Sequence, residues 1–244
     1  DTVAFVGEMV SISLFEEWAA CDTLNFQAVE DPFNYLWRER PTSEYNPMRI
    51  HYEHLAGESV DSKLTRIRET IGLTEGAYLL MNDLSEIAWT LNLRGNDVMY
   101  NPVFLSYLLV YSQGAILFVD KRKLTPEVSE YLKQTNIKVR DYNGVKTFIA
   151  DHNDRGKYFM LPQTISYDIV YYMERLGIDY DIIESPVEAI RMIKNPAEQE
   201  GFRRAMENDG VAMVKFLRWL EEAVPCGTLT ELDAQEKLNA LRME

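Results

Sequence analysis

Four side chains that could hold a ligand occur close together in one polar stretch of the sequence. They are Asn92, Arg94, Asp97 and Tyr100, and apolar stretches flank them on both sides. Loops positioned by rigid elements often carry binding residues, and the planar guanidinium of an arginine can hold a carboxylate through two parallel hydrogen bonds. The alternative is an ordinary connection between a helix and a strand, in which Arg94 pairs with Asp97 or with a backbone carbonyl.

Histidine and cysteine offer weaker candidates for chemistry. His51 and His54 could supply two metal ligands from one helical turn, but they lie in an irregular passage without a third marked ligand, so a structural role is favoured. His152, in the surface-loop composition DHNDRG, is a weak candidate for coordination. Cys21 and Cys226 match no metal or redox spacing and are expected to be free thiols. The sequence contains no G-x-S-x-G segment, the motif that exposes a serine nucleophile.

The elements that must position the polar stretch are clear in the sequence. Asp83 occupies an N-cap position, and Glu86 follows at the spacing of a reciprocal capping box. Apolar residues at helical spacing come next, and turn-forming residues from Asn92 onward end the helix. The nearly continuous apolar stretch 104–111 then predicts a buried strand. We therefore expect a helix, a polar loop and a buried strand in this order.

Helix and strand signals alternate through the rest of the chain. The connection 112–114 predicts a β-hairpin between two apolar strands, residues 120–123 are expected to be a solvated turn, and residues 61–71 form an amphipathic helix. This alternation indicates an α/β fold with a mixed sheet flanked by helices. A polar, proline-containing passage at 41–47 predicts a linker. At Asn195 a strong helix start opens a long helix, and Thr230 caps a second one.

The composition is that of a globular protein with an acidic surface. The chain has 244 residues, of which 46% are hydrophobic and 26% charged, and its formal net charge is −14. This charge argues against a nucleic-acid backbone or an anionic membrane as a partner, and the sequence contains no segment long enough to span a bilayer. The first residues lack the basic region of a signal peptide, so we expect a cytoplasmic protein.

Three ordered segments resemble the Xaa-Pro aminopeptidases of the three-domain, eukaryotic type. They are DLSEIAWTLNLRGNDVMYNPVF at residues 83–104, GAILFVD at 114–120 and IKNPAEQEGFRRAMENDGVAMVKFLRWL at 193–220. Residues 31–68, with Trp37 and the ERP and AGES elements, are similar to the passage between the first and second domains of that family. The resemblance covers essentially the whole chain.

The resemblance implies a domain division. Residues 1–40 would be the C-terminal part of a first creatinase-like N-terminal domain, and residues 45–192 a second creatinase/prolidase N-terminal-like domain with a mixed sheet. Residues 194–244 would be the opening helices of a truncated pita-bread metallopeptidase domain. Without the rest of that domain, these helices are expected to pack on the second domain, to self-associate or to be poorly ordered.

The resemblance also implies an activity for a longer parent protein. Family members are dinuclear, usually manganese-dependent exopeptidases that remove an N-terminal residue when proline is second, and their metals activate a bridging water. In the family the metal ligands would lie beyond Glu244, so no catalytic or metal residue is assigned here, and Asp209, Asp233 and Glu236 are not expected to be ligands. The fragment should therefore be inactive and hold no cofactor. The parent would bind two divalent ions and short proline-containing peptides, and a homodimer is one of its expected states.

In this family the N-terminal domains overhang the active site. The resemblance therefore implies that Asn92, Arg94, Asp97 and Tyr100 belong to a rim that restricts substrate access. The alternative from another class is a creatinase-like domain that has lost catalysis and serves as a protein-interaction module, because an acidic surface suits basic partners. A third possibility, a stand-alone metal-binding protein that uses His51 and His54, requires a tight metal site.

Overall fold

The computed structural model describes residues 1–41, 45–152 and 158–244. These residues form two units: Asp1–Glu53 with Glu58–Ile193, and His54–Gly57 with Lys194–Glu244. Within the described parts of the chain, no helix is both long and apolar enough to cross a membrane.

The strands form three sheets in the first unit. In chain order they are β1 (Thr2–Val6), β2 (Asn25–Val29), β3 (Arg49–Ile50), β4 (Ala77–Met81), β5 (Leu93–Arg94), β6 (Ser106–Tyr111), β7 (Gly114–Val119), β8 (Ile137–Arg140), β9 (Tyr158–Pro162) and β10 (Asp179–Ile183). The main sheet has the order β10-β9-β4-β6-β7-β8, while β1 pairs with β2 in parallel and β3 with β5 antiparallel.

Parallel and antiparallel pairing are combined in the main sheet. Strands β10, β9 and β4 run parallel to one another, as do β7 and β8, whereas β6 is antiparallel to both of its neighbours. Tyr111 pairs with Gly114 at the end of the β6–β7 hairpin. The predicted mixed sheet and its hairpin are therefore confirmed, with β6 beginning at Ser106 rather than Phe104.

Helices of the first unit cover both faces of this sheet. In chain order, the helices of the two units are α1 (Ile12–Ala19), α2 (Phe33–Leu36), α3 (Glu53–Ala56), α4 (Val60–Thr70), α5 (Leu84–Thr90), α6 (Pro126–Gln134), α7 (Val145–Asp151), α8 (Tyr167–Leu176), α9 (Pro186–Met192), α10 (Pro196–Ala223) and α11 (Glu231–Met243). Alternate residues of β4 enter two apolar clusters: Leu79 and Met81 pack with α4, α5, α6 and α9, and Tyr78 and Leu80 with α7 and α8. Because both faces are buried at its centre, strands β4, β6 and β7 are almost continuously apolar.

Two local expectations are corrected by long-range contacts. The Asp83 side chain caps α5 by accepting a hydrogen bond from the Glu86 amide at 2.8 Å. The capping box is not closed, however, because the Glu86 carboxylate accepts a hydrogen bond from Ser185 Oγ at 2.6 Å. The expected solvated turn at 120–123 is also only partly correct, since Lys123 is buried against Asp97.

The second unit is built on an antiparallel pair of helices. Asn195 and Glu198 form a full capping box at the start of α10, and Thr230 and Asp233 form another at the start of α11. Ion pairs of Lys215 with Glu244 and of Asp209 with Arg242 join the two helices. Several large apolar side chains of α10 are more than half exposed: Phe202, Met206, Val211, Val214 and Leu217.

The beginning of α10 is fixed by a close approach to Gly57 within the same unit. The Asn195 side chain donates to the Ala56 carbonyl at 2.7 Å. A Cβ on Gly57 would lie 2.2 Å from Asn195 Oδ1, and Gly57 also has a left-handed φ of 72°. Only glycine meets both requirements without rearrangement.

Candidate functional site

The polar stretch 92–105 forms a loop that begins at a buried asparagine. Asn92 ends α5 with a left-handed φ of 50° and is 2% exposed. Its Nδ2 donates to the Glu58 carbonyl at 2.9 Å, and its Oδ1 accepts from Lys63 Nζ at 2.6 Å. Next to it, the Tyr131 hydroxyl of α6 donates to the Leu91 carbonyl at 3.1 Å. Asn92 therefore joins α4 to the loop, and Tyr131 ties α6 to the residue before it.

Lys63 is the least expected member of this network. It is 1% exposed, and its Nζ donates to the Trp89 carbonyl at 2.9 Å and lies 4.1 Å from the centre of the Trp89 ring. Carbonyl oxygens and the π face of an indole are suitable surroundings for an ammonium withdrawn from water. Sequence reasoning missed this residue, because a lysine in an amphipathic helix is normally solvated.

Arg94 is engaged with the end of α5. Its Nη1 donates to the carbonyls of Ala88 and Leu93 at 2.8 and 2.9 Å, and the side chain is partly buried. The contact with Ala88 satisfies a carbonyl in the last turn of the helix, where a cation is favourable. The sequence-based alternative, in which Arg94 pairs with a backbone carbonyl, therefore describes these contacts.

Asp97 anchors the base of the exposed part of the loop through a buried ion pair with Lys123. The two side chains are 3% and 5% exposed. Asp97 Oδ2 also accepts from the Leu105 amide at 2.6 Å, whereas Oδ1 is buried without a hydrogen-bond partner among the described residues. Because a buried ion pair is costly to break, it fixes the loop against Lys123, and the bond from the Leu105 amide ties Asp97 to the end of the loop.

The loop narrows into a short stem with a two-residue tip. Backbone hydrogen bonds from Gly95 to Pro102 (3.2 Å) and from Asp97 to Val103 (3.1 Å) form the stem. A bond of 3.1 Å from the Asn101 amide to the Val98 carbonyl closes the turn. Met99 and Tyr100 occupy the tip and are 78% and 77% exposed, and Tyr100 has a left-handed φ of 62°.

The glycine of the Asn-Leu-Arg-Gly segment is required by a close approach within this stem. A Cβ on Gly95 would lie 2.7 Å from Phe104 Cβ and 2.8 Å from the Val103 carbonyl oxygen. Phe104 is itself completely buried. Of the four predicted site residues, Asn92, Arg94 and Asp97 thus maintain the loop, and Tyr100 is the largely exposed one.

A second polar cluster lies at the carboxyl ends of β9 and β10, where α/β sheets commonly bind ligands. A cavity of about 570 Å³ there is lined by Asp83, Glu86, Thr164, Ser185 and Arg191 among others. Burial raises the pKa of the Glu86 carboxyl, while the hydrogen bond from Ser185 opposes this shift. Glu86 therefore keeps its proton to a higher pH than a solvated glutamate does.

Another cavity borders the buried network of Asn92. It measures about 550 Å³, and its acidic lining residues are Glu53, Asp61, Glu127 and Glu130. Tyr52 donates a hydrogen bond of 2.7 Å to Glu127 at its edge. Throughout the described ranges, no three His, Cys, Asp or Glu side chains are grouped so that they could hold a metal ion. The residues present therefore do not fit the metal centre that the resemblance implies for a parent protein.

Comparison with known proteins identifies similar chains of known family. A family model described as the creatinase/prolidase N-terminal domain matches residues 39–198. The probable Xaa-Pro aminopeptidase P of Botryotinia fuckeliana is 32% identical over 225 residues, which cover 87% of this chain and 34% of that protein. The protein of the same description from Fusarium vanettenii is 34% identical, with coverage of 86% and 36%. The chain thus spans about a third of the length of these relatives.

Solved structures share the fold. The crystal structure of X-prolyl aminopeptidase from Caenorhabditis elegans matches with a TM-score of 0.87 at 23% identity, over 100% of this chain and 41% of that one. The Xaa-Pro dipeptidase from Bacillus anthracis matches with a TM-score of 0.54 at 15% identity, over 76% of this chain and 49% of that one. At these identities the likeness describes the fold.

Proposed function

The chain belongs to the creatinase/prolidase N-terminal domain family, and from this premise we propose that it is the N-terminal and middle portion of a metal-dependent Xaa-Pro aminopeptidase. The whole protein would remove the N-terminal residue from peptides that carry proline in second position. The observation that carries this proposal is the identity of 32–34% to probable Xaa-Pro aminopeptidases P over 86–87% of the chain.

The proposed role of this chain is to shape substrate access. The loop 92–105 supports it, because its base is fixed by the buried contacts of Asn92 and Asp97 and it presents an exposed tip. A rigid element of this kind can exclude large or folded substrates without taking part in the chemistry. The chain alone would be inactive, since its described residues group no metal ligands.

The cofactor, location and assembly are proposed by analogy. The Caenorhabditis elegans protein is described as a cytosolic enzyme with a di-nuclear active site. We infer two divalent ions, manganese in the first instance, held by residues of the whole protein outside this chain, and a cytoplasmic location. A homodimer is the proposed assembly. Bound to the whole protein, the metal pair would supply an activated water.

The test is a paired measurement of activity with added manganese. The chain and the full-length protein are assayed on an Ala-Pro peptide, with the matched Ala-Ala peptide as the control, and bound metal is counted in both. Cleavage of the Ala-Pro peptide by the full-length protein alone, together with two bound metal ions, is the expected result. Turnover by the chain itself would contradict the placement of the metal site. Silence of both proteins would favour the non-catalytic interaction module.

A further inference from the structure

The cavity at the carboxyl ends of β9 and β10 is built by three parallel strands. Strands β4, β9 and β10 run in the same direction, so the residues that follow them meet at one edge of the sheet. Asp83 follows β4, Thr164 follows β9 and Ser185 follows β10, and all three line this cavity. Asn82 donates to the Thr164 carbonyl at 2.8 Å and accepts from the Thr164 hydroxyl at 3.0 Å. These bonds fix part of the cavity wall before a ligand binds.

A buried carboxyl forms part of the same wall. Glu86 is 6% exposed and lines the cavity, and Ser185 Oγ donates to its Oε2 at 2.6 Å. None of the hydrogen bonds made by the described residues reaches Glu86 Oε1. This oxygen is accessible from the cavity, since the fully enclosed side-chain atoms without a partner in the described ranges belong to Thr90 and Asp97. Because a carboxylate oxygen in a buried position needs a donor, the cavity offers a position for one.

The other acidic residues of the cavity add to its negative charge. Asp83 is partly buried, and Glu184 and Glu188 are exposed. Among the described lining residues, Arg191 is the single base, against four acids that include Glu86. A cation is therefore the ligand that the charge of this cavity favours.

The lining favours an organic cation over a metal ion. In no part of the chain that the structure describes do three His, Cys, Asp or Glu side chains group closely enough to hold a metal. Pro162, Ile183 and Ala189 add apolar surface to the lining. Methylene groups gain free energy by packing on such a surface, and an ammonium group forms charge-assisted hydrogen bonds with a carboxylate. A short diamine combines both features, and a cavity of about 570 Å³ can hold a small molecule.

We propose that this cavity binds a small organic diamine, with one ammonium hydrogen-bonded to Glu86 and the other drawn to the exposed acids Glu184 and Glu188. The first ammonium supplies the donor that Oε1 lacks and the counter-charge that a buried carboxylate needs. Where Glu86 is protonated before binding, its proton passes to the solvent, and the resulting carboxylate accepts a hydrogen bond from the ammonium. This site is additional to the proposed peptidase function and does not depend on it.

Binding at this site depends on pH through Glu86. Burial raises the pKa of the Glu86 carboxyl, whereas the hydrogen bond from Ser185 opposes this shift. The charges of Asp83 and Glu188 raise the pKa further, and that of Arg191 lowers it. The lining residues that follow β9 carry no charge. An ammonium favours the ionised carboxyl, so binding releases protons and becomes tighter as pH rises through the raised pKa of the unliganded protein.

The experiment is a calorimetric titration of the chain with putrescine, a short aliphatic diamine. Ethylamine and Mg²⁺ are the comparison ligands at equal ionic strength. Glu86→Gln removes the buried charge but keeps an acceptor for Ser185, and Ala189→Trp fills the cavity while leaving every charge in place. Glu69→Gln, at an exposed position of α4 outside the cavity lining, is the matched control for the loss of one acid. Thermal unfolding verifies that each variant retains the fold.

The expected result is saturable binding of one putrescine per chain. Glu86→Gln raises the Kd by about 10-fold to 100-fold, as for loss of a hydrogen bond to a charged group. The proton release, measured in buffers of different ionisation enthalpy, disappears in the same variant. Ala189→Trp also weakens binding, whereas Glu69→Gln leaves the Kd within about twofold. Ethylamine, which has one ammonium, binds more weakly than putrescine.

Other results would overturn the inference. Absence of saturable binding at millimolar putrescine would refute the site. Equal affinity of the wild-type chain, Glu86→Gln and Ala189→Trp would assign the binding to general attraction by an acidic surface. Tighter binding of Mg²⁺, with the same loss in Glu86→Gln, would identify an inorganic cation instead. If Glu86→Gln does not fold, an unchanged Kd in Ala189→Trp alone refutes the proposal. None of these outcomes bears on the proposed function, which is tested by peptide cleavage.

Discussion

The ammonium of Lys63 donates a hydrogen bond of 2.6 Å to the side chain of Asn92, although the two residues lie on different elements and both are buried. This contact ties α4 to the first residue of the loop. Asn92 follows the C-cap of α5 with a left-handed backbone, and the contact with Lys63 holds its side chain in that turn. The loop therefore depends on a buried charge that belongs to a neighbouring helix.

Replacement of Lys63 should destabilise the first unit. Lys63→Met leaves the Asn92 Oδ1 without its donor, and an unsatisfied buried acceptor costs about 1–3 kcal/mol, whereas the Trp89 carbonyl still accepts from the Asn92 amide at 3.3 Å. Relief of the buried charge offsets part of this loss, so we expect a decrease of about 1–2 kcal/mol in the free energy of unfolding, measured by urea denaturation. Lys138→Met, at an exposed position of β8, is the matched control and should have little effect. An equally small loss of stability in Lys63→Met would contradict the stabilising role of the hydrogen bond between Lys63 and Asn92.

The buried ion pair at the base of the loop makes a second prediction. Asp97→Asn leaves the Lys123 ammonium buried without its counter-charge, which costs about 3–5 kcal/mol of unfolding free energy. The double variant Asp97→Asn/Lys123→Met should recover part of that loss, because it removes the uncompensated charge as well. Asp120→Asn, which breaks the more exposed pair with Arg122, is the control and should change stability little. Equal losses of stability in Asp97→Asn and Asp120→Asn would refute the prediction that the buried pair contributes more than the exposed one.

The raised pKa of Glu86 predicts a pH dependence of stability. Burial raises the pKa of this carboxyl, so the folded protein binds the proton more tightly than the unfolded chain, whose glutamate pKa is about 4.3. Stability should therefore fall as pH rises from that value through the raised pKa of the folded state, and remain lower above it. Glu86→Gln can still accept the hydrogen bond from Ser185 and should remove this contribution.

The measurement is urea unfolding of the wild-type protein and of Glu86→Gln across this pH range. The difference between the unfolding free energies of the two proteins isolates the contribution of Glu86 from that of the many other carboxylates. This difference should shift in favour of the variant as pH rises and then become constant. Parallel stability curves would show that Glu86 titrates alike in the folded and unfolded states.

Gly95 makes a fourth prediction, with a control in the same chain. A methyl group on Gly95 would meet the Val103 carbonyl oxygen at 2.8 Å, and a backbone group can move only if the stem distorts. We expect Gly95→Ala to lower the free energy of unfolding by about 1–3 kcal/mol, in the range for overpacking. Gly210→Ala places its methyl group in open space on α10 and should stabilise that helix by about 0.5–1 kcal/mol. Denaturant titration followed by circular dichroism distinguishes the two signs.

Local sequence signals predicted the architecture well where partners were close in the chain. The Asp83 cap, the hairpin that closes at Gly114 and the Asn195 capping box are all present. Each of these depends on residues within a few positions of one another, so spacing alone contains the necessary information. The position of the candidate loop between a helix and a buried strand could be predicted for the same reason.

Contacts between distant segments could not be predicted in this way. Nothing near Lys63 or Lys123 in the sequence indicates burial, because their partners Asn92 and Asp97 come from another part of the chain. The Glu86 carboxylate accepts a hydrogen bond from Ser185 rather than from the nearby backbone. The predicted capping box is therefore replaced by a contact with a residue that is distant in the sequence. The roles of Asn92 and Asp97 within the loop became visible only through these partners, whereas substrate contact by the predicted rim residues stays a prediction.

The exposed apolar side chains of α10 have a practical consequence for handling the protein in solution. Several of them, including Met206 and Val214 at 67% and 69% exposure, offer surface on which copies can adhere. The net charge of −14 opposes such encounters by mutual repulsion. Added electrolyte shortens the reach of that repulsion to about 8 Å at 0.15 M ionic strength and about 3 Å at 1 M. Purification in dilute buffer above neutral pH will therefore keep the chain dispersed, and salting-out agents will precipitate it early.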